Sequence, residues 1–205
     1  MKWDEMEKME HMVVAASKLL DGLAEFTGIS RVDQNFTKTP ERMVKALLEL
    51  CSGSVNFKNR ADKILDTSFP DDVAYDEMVF QDNIFAAGVC PHHLIPVEYR
   101  IHVAYVPNPE ESRLVGISKL ARIATLCASR PVMQEVVTQD ILHLLEKLNP
   151  LGVGVFVAGK HGCIRLRGAK QHNSVTKTTA FSGIFKSKHD TRAEFMGLVN
   201  ESNRS

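Results

Sequence analysis

The sequence predicts an α+β fold, an antiparallel sheet covered on one face by two consecutive helices, with further helices at the N-terminus. Three observations carry this. In "EYRIHVAYV", Tyr99, Ile101, Val103 and Tyr105 alternate with Arg100, His102 and Ala104, the period of a strand. Two helical stretches, about Ser118 to Ser129 and Val132 to Leu148, follow one another with a break at Pro131. Strand-like runs stand in pairs on either side, giving the order strand, strand, helix, helix, strand, strand.

Taken along the chain, Met9, Val13, Ala16, Leu20 and Leu23 recur at helical spacing, which predicts a helix from about Asp4 to Phe26. A second helix is expected in "TKTPERMVKALLELCSG", with Thr39 as cap, Pro40 in the first turn and Gly53 as stop. Residues 54–75 are polar and turn-rich. The expected organisation is therefore a helical segment over 1–55, a connection over 56–75 and a sheet-bearing domain over 76–205. Within that domain, "DEMVFQDNIFAAG" and "EYRIHVAYV" are strands and "PNPEES" is a turn. After the two helices, "GVGVFVAG", "CIRLRG" and "SVTKTTAFSGIF" read as strands and "DTRAEFMGLVN" as a closing helix.

Lys+Arg and Asp+Glu balance at 25 each in 205 residues, so no general attraction to nucleic acid or acidic membranes is implied. Any anion site must be local. The acidic N-terminal stretch reads as an amphipathic helix and not as a signal peptide, and no run has the length of a membrane span. Four widely spread cysteines, Cys51, Cys90, Cys127 and Cys163, point to a reducing, cytoplasmic setting with free or metal-bound thiols.

The chemistry-bearing stretch is "GVCPHHLIPVEY". Cys90 and His93 have C-x-x-H spacing, which lets one tight loop offer a thiolate and an imidazole to one ion, a pair that favours zinc. The matching half is "KHGCIRLRG", where Cys163 supplies a second thiolate. Three protein ligands leave a fourth position for water, the arrangement of a catalytic site. His92 adjoins one ligand and His161 lies two residues before another, so both are candidates to move protons beside that position. His11, His143 and His189 lie in helix or turn contexts and read as structural or solvated.

An anion site is expected at "VGISKLARIA". Ser118 and Lys119 open a helix whose free N–H groups and dipole favour phosphate, and Arg122 shares their face. If "CIRLRG" is a regular strand, Cys163, Arg165 and Arg167 share one side, which carries an arginine toward the metal. Gln134 and Glu135 open the helix after Pro131. There a carboxylate either answers the helix dipole or accepts paired N–H bonds from an edge such as that of guanine.

Assembled, "KTPERMVKALLEL", "CPHHLIPVEYRIHVAYVPN", "LVGISKLARI", "RPVMQE", "GVGVFVAGKHGCIRLRG", "TTAFSGIFK" and "TRAEFMGLV" resemble the GTP cyclohydrolase I family over about four fifths of the chain, in order. The first thirty residues and the stretch 56–73 lack a strong echo. The resemblance implies zinc on Cys90, His93 and Cys163, with His92 and His161 as acid/base histidines. It implies Ser118, Lys119, Arg122 and Arg167 at the triphosphate or ribose end, Ser118 counting also in the catalytic set, and Gln134 with Glu135 on the guanine. The implied fold is the tunnelling fold, assembled as a homodecamer with active sites between subunits. The implied reaction is attack of zinc-activated water at C8 of GTP, release of formate, Amadori rearrangement and closure to 7,8-dihydroneopterin triphosphate.

One departure is plain. The family usually reads "CEHH", and here Pro91 replaces the glutamate, removing an N–H and a carboxylate from the loop. The segment "GAKQHNSVTKTTAFSG" is also more basic than the family pattern, and Lys170, His172 and Lys177 either contact phosphates or stand exposed. Two other readings remain open from sequence: a relative with the same machinery acting on another purine nucleotide, and a zinc-stabilised nucleotide-binding oligomer without chemistry.

Overall fold

The computed structural model describes residues 3–30, 34–66, 68–70, 75–111 and 113–202. The chain divides into two compact units, Met1–Glu49 and Leu50–Ser205. The first holds helix α1 (Trp3–Thr27) and nearly all of α2 (Thr39–Leu50). On α1 the expected stripe is largely realised, since Ala16 is buried and Met9, Val13 and Leu20 are half-buried. Leu23 falls off it and is exposed. Thr39 opens α2, with its hydroxyl turned back to the Asn35 carbonyl.

In the second unit, α3 (Phe57–Leu65) occupies the stretch read as polar and turn-rich. It buries Ala61 and Leu65 and packs Phe57 and Ile64 on the core. Strand β1 (Ser68–Pro70) pairs antiparallel with β4 (Arg113–Val115). Residues 71–74 of the connection, and Ser112 of the expected turn, lie outside the described residues.

The main sheet has the order β2 (Val79–Val89), β3 (Pro96–Val106), β5 (Gly152–His161), β6 (Thr176–Phe181), antiparallel throughout. Helices α4 (Ile117–Ala128) and α5 (Gln134–Glu146) stand between the two strand pairs in sequence, as expected. Their buried faces, with Leu120, Ile123, Cys127, Val137, Ile141 and Leu145, join one cluster with Tyr99, Ile101, Val103 and Val155 of the sheet. Arg130 fastens the junction between them: it pairs with Asp140, donates to the Cys127 carbonyl and lies 3.9 Å over the Phe57 ring.

Two sequence expectations need correction. "CIRLRG" is not a strand, because β5 runs on to His161 and Gly162–Arg165 then form a short helix, α6. The shared strand face of Cys163, Arg165 and Arg167 therefore does not exist. Likewise β6 ends at Phe181, and "GIF" opens a further short helix, α7 (Gly183–Ser187). Together with α8 (His189–Ser202), α7 covers part of the second sheet face through Phe185, Phe195 and Val199. That cover explains His102. It has the opposite strand parity from Tyr99 and Ile101 and is nevertheless fully buried, beside Phe80 and Phe156. Neither ring nitrogen has a partner among the described residues, and burial lowers its pKa.

Close approach of the helix layer fixes the end of the sheet that matters below. A Cβ on Gly88 would overlap the Ala128 carbonyl oxygen at the C-terminus of α4. Gly88→Ala is therefore expected to cost about 1–3 kcal/mol by overpacking and to lower the urea midpoint. An unchanged midpoint would show that the helix end is not pressed onto the strand.

Candidate metal centre and active site

Where β2 ends, Cys90 begins a single helical turn that leads into β3. The Leu94 N–H donates to the Cys90 carbonyl at 2.8 Å, and the Cys90 N–H donates to the Ile95 carbonyl at 3.0 Å. Leu94 closes the turn at φ 53°, the left-handed conformation of a helix end. Pro91 takes the first position, where φ is already near the proline value and the missing N–H is not required. The proline is thus accommodated by the backbone.

The opposing wall comes from β5 and α6. Val97 pairs with His161 across the sheet, which brings the end of β5 beside the loop. Gly162 then makes the approach possible, since a Cβ there would lie 2.9 Å from the Pro96 carbonyl oxygen. Cys163 follows directly and faces Cys90.

The donor atoms of Cys90, His93 and Cys163 all lie within 4.8 Å of one another. Cys90 Sγ is 3.8 Å from His93 Nδ1. Ligand lengths of about 2.3 Å for sulfur and about 2.0–2.1 Å for nitrogen put tetrahedral donors roughly 3.5–3.8 Å apart, so the group fits zinc. Electrostatics agree. Burial and the adjacent Cys90 sulfur raise the Cys163 thiol pKa, and two sulfurs this close resist double ionisation unless a cation neutralises them. His92 Nδ1 is also near Cys90 Sγ, at 3.7 Å, but His92 is not part of the three-donor group.

His161 stands at the end of β5, two residues before Cys163. Burial lowers its pKa and the Glu135 carboxylate pulls it back up. Its ring meets Tyr99 edge to face with centroids 6.2 Å apart, and its Nε2 is 2.8 Å from Gln134 Oε1. Tyr99 is a site residue that sequence reasoning left among the core alternation. It is 1% exposed, and burial together with Cys90, Glu135 and Cys163 pushes its phenol up to about 12. Position was the missed signal: Tyr99 shares strand parity with Val97, which stands opposite His161. Glu135 is exposed in the first turn of α5, within electrostatic reach of both Tyr99 and His161. Gln134 is 2% exposed, with its amide turned into the protein.

The expected phosphate residues are elsewhere. Ser118, Lys119 and Arg122 stand on the first turns of α4, whose N-terminus carries no side-chain cap. Arg122 also lines a cavity of about 550 Å³ with Arg60 and Lys63. Two internal rulers measure the separation from the metal group. Ala128 presses on Gly88, two residues before Cys90, and Ser118 lies ten residues, about 15 Å, back along the helix. Independently, the Val115 N–H donates to the Tyr105 hydroxyl at 3.1 Å, and Tyr105 is six strand residues, roughly 20 Å, from Tyr99. Within one chain the two groups sit at opposite ends of the sheet.

Arg167 is exposed just beyond the end of α6, two residues after Arg165. Arg165 instead donates to the His172 carbonyl at 2.6 Å and ties down the following loop. Lys177 lies 6.0 Å from the Phe156 ring, on the sheet face away from Gln134, and Lys170 is exposed at φ 50°.

Two thiols and an imidazole that could hold a metal ion, at the end of an α+β sheet with a half-buried histidine two residues before one of them, are the kind of group an enzyme site is built from. The family model described as GTP cyclohydrolase I matches residues 16–200, and the chain belongs to that family. Among curated relatives named GTP cyclohydrolase 1, that of Chlorobium phaeovibrioides is 37% identical over 94% of this chain and 82% of its own. Those of Campylobacter concisus and Rickettsia akari are 40% and 33% identical, over 82% and 91% of this chain and 85% and 95% of theirs. A crystal structure of the archaeosine synthase QueF-Like shares 18% identity at a TM-score of 0.42, over 52% of this chain and 93% of that one. No helix among the described residues is long and apolar enough to cross a membrane.

Proposed function

We propose that the chain opens the imidazole ring of GTP and forms 7,8-dihydroneopterin triphosphate with release of formate, using zinc held by Cys90, His93 and Cys163. The observation that carries this reading is the three-donor group with His161 beside it, in a chain of this family. When bound, zinc supplies Lewis acidity that makes a water nucleophilic near neutral pH.

The remaining work falls to the chain's own side chains. Glu135 accepts the two N–H groups of the guanine edge, for which an exposed carboxylate at a helix start is suited. His161 moves a proton through Nδ1, the ring nitrogen left free by Gln134. His92, exposed at the rim of the loop, is the second proton carrier. Tyr99 stays neutral and walls the pocket, given a phenol held near 12.

Ser118, Lys119, Arg122 and Arg167 hold the triphosphate and ribose end. The separation between the α4 N-terminus and the metal group supports a site completed by a second copy of the chain, and hence a homo-oligomer, with the family decamer as its expected form. Apolar side chains left exposed on α1, among them Val14, Leu19, Leu23 and Phe26, support assembly as well. A cytoplasmic enzyme without nucleic-acid or membrane partners fits the balanced charge.

The zinc-loaded protein is expected to release formate from GTP together with a product that becomes fluorescent neopterin on oxidation, and to leave ATP unopened. Formate without neopterin would confine the activity to ring opening. Neither product, with zinc bound and the oligomer assembled, would sink the proposal.

A further inference from the structure

Gln134 opens α5, yet its side chain does not face solvent. Its Nε2 lies 3.1 Å from the Val157 carbonyl oxygen, 3.0 Å from the Thr176 carbonyl oxygen and 3.1 Å from Thr178 Oγ1. Carbonyls only accept, so the amide nitrogen must be the atom at this position. The atom facing His161 is therefore the amide oxygen, which can only accept. It follows that His161 carries a hydrogen on Nε2 and donates it to Gln134 across 2.8 Å.

The neighbouring hydroxyls close the network in one sense. Thr138 Oγ1 donates to the Gln134 carbonyl at 2.9 Å, one turn back along α5. Its contact with Thr178 Oγ1, at 2.6 Å, then takes its hydrogen from Thr178. The Gln134 amide has two hydrogens for three acceptors, so Thr178 Oγ1 at most shares one of them with a carbonyl. The two carbonyls fix which way the amide faces, and the Thr138 bond to the Gln134 carbonyl fixes the sense of its contact with Thr178. Space for the amide is made by Gly159: a Cβ there would overlap Gln134 Oε1 and lie 3.1 Å from His161 Nε2.

We propose that Gln134 is a positioning residue for His161 and not a reader of the guanine. It fixes the ring plane and pins the Nε2 hydrogen, so the neutral ring is held in the tautomer with Nδ1 bare. The inference deepens the proposed reaction and rests on His161 acting there as acid and base, but the tautomer stands or falls without turnover.

The test uses zinc-loaded oligomer labelled with 15N-histidine and sedimented for magic-angle-spinning NMR, with His161 assigned by difference against His161→Asn. The expected neutral ring has a protonated Nε2 and a bare Nδ1. In Gln134→Leu the expected outcome is a mixture of tautomers, and with GTP a kcat lower by roughly 10- to 100-fold at a KM within about threefold. Gly159→Ala keeps every atom of Gln134 but displaces its oxygen, and the same loss of kcat is expected in the folded variant.

A proton on Nδ1 in the unsubstituted protein would overturn the proposal. So would a KM raised tenfold or more with kcat unchanged in Gln134→Leu, the pattern of a guanine contact. Wild-type kcat in folded Gly159→Ala would overturn it equally. If the unsubstituted protein leaves GTP untouched, the NMR arm decides alone.

Discussion

Cys163→Ala is expected to abolish metal retention and turnover together. The three donors lie within 4.8 Å of one another, and two remaining ligands on one loop do not make a closed protein set for zinc. The substitution sits on an α6 whose placement depends on Gly162 and on the Val97–His161 pairing, neither of which involves the Cys163 side chain. The variant should therefore fold and fail to hold zinc through gel filtration, as read by metal analysis. Stoichiometric zinc in the purified variant would remove Cys163 from the ligand set.

His161→Ala is expected to behave in the opposite way, keeping zinc while turnover falls by about 10²–10⁴, the contribution of a positioned acid/base group. His161 is outside the three-donor group, and its Nε2 is already committed to Gln134. Metal content and formate release from the same preparation check both halves. Loss of zinc in this variant would mean that the ligands are misassigned, and unchanged formate release would take His161 out of the chemistry.

The three-donor group was legible in the sequence because C-x-x-H spacing is local and specifies a turn whatever surrounds it, while Cys163 was read at the start of a strand and stands in a short helix. The two helices between two strand pairs were legible for the same reason, their period being written in consecutive residues. Short elements were not. "CIRLRG" alternates apolar and charged residues over a stretch too brief for alternation to separate a strand from a helical turn. In α3, Phe57, Ala61, Ile64 and Leu65 do have helical spacing, but Lys58, Arg60, Asp62 and Lys63 between them gave the segment the look of a polar linker.

What no spacing could supply was distance between elements. Gln134 and Glu135 are neighbours in sequence and were read together, yet one is buried against β5 and β6 and the other is exposed. Their separation depends on Gly159 leaving room under α5. The remoteness of Ser118 from Cys90 is likewise a property of sheet register, visible only once Tyr105 and Gly88 mark opposite ends of the same layer.

The turn from Cys90 to Leu94 bears on how a metal is captured. A proline-fixed first residue and a left-handed last one leave the loop few conformations to lose, so chelation does not have to order the chain as it does in a zinc finger. An ion binding here would instead meet the Cys163 thiol, whose pKa burial and the adjacent Cys90 sulfur already raise. Were a metal ion to bind here, its uptake would be a contest with protons, set by the acidity of the surroundings more than by the flexibility of the backbone.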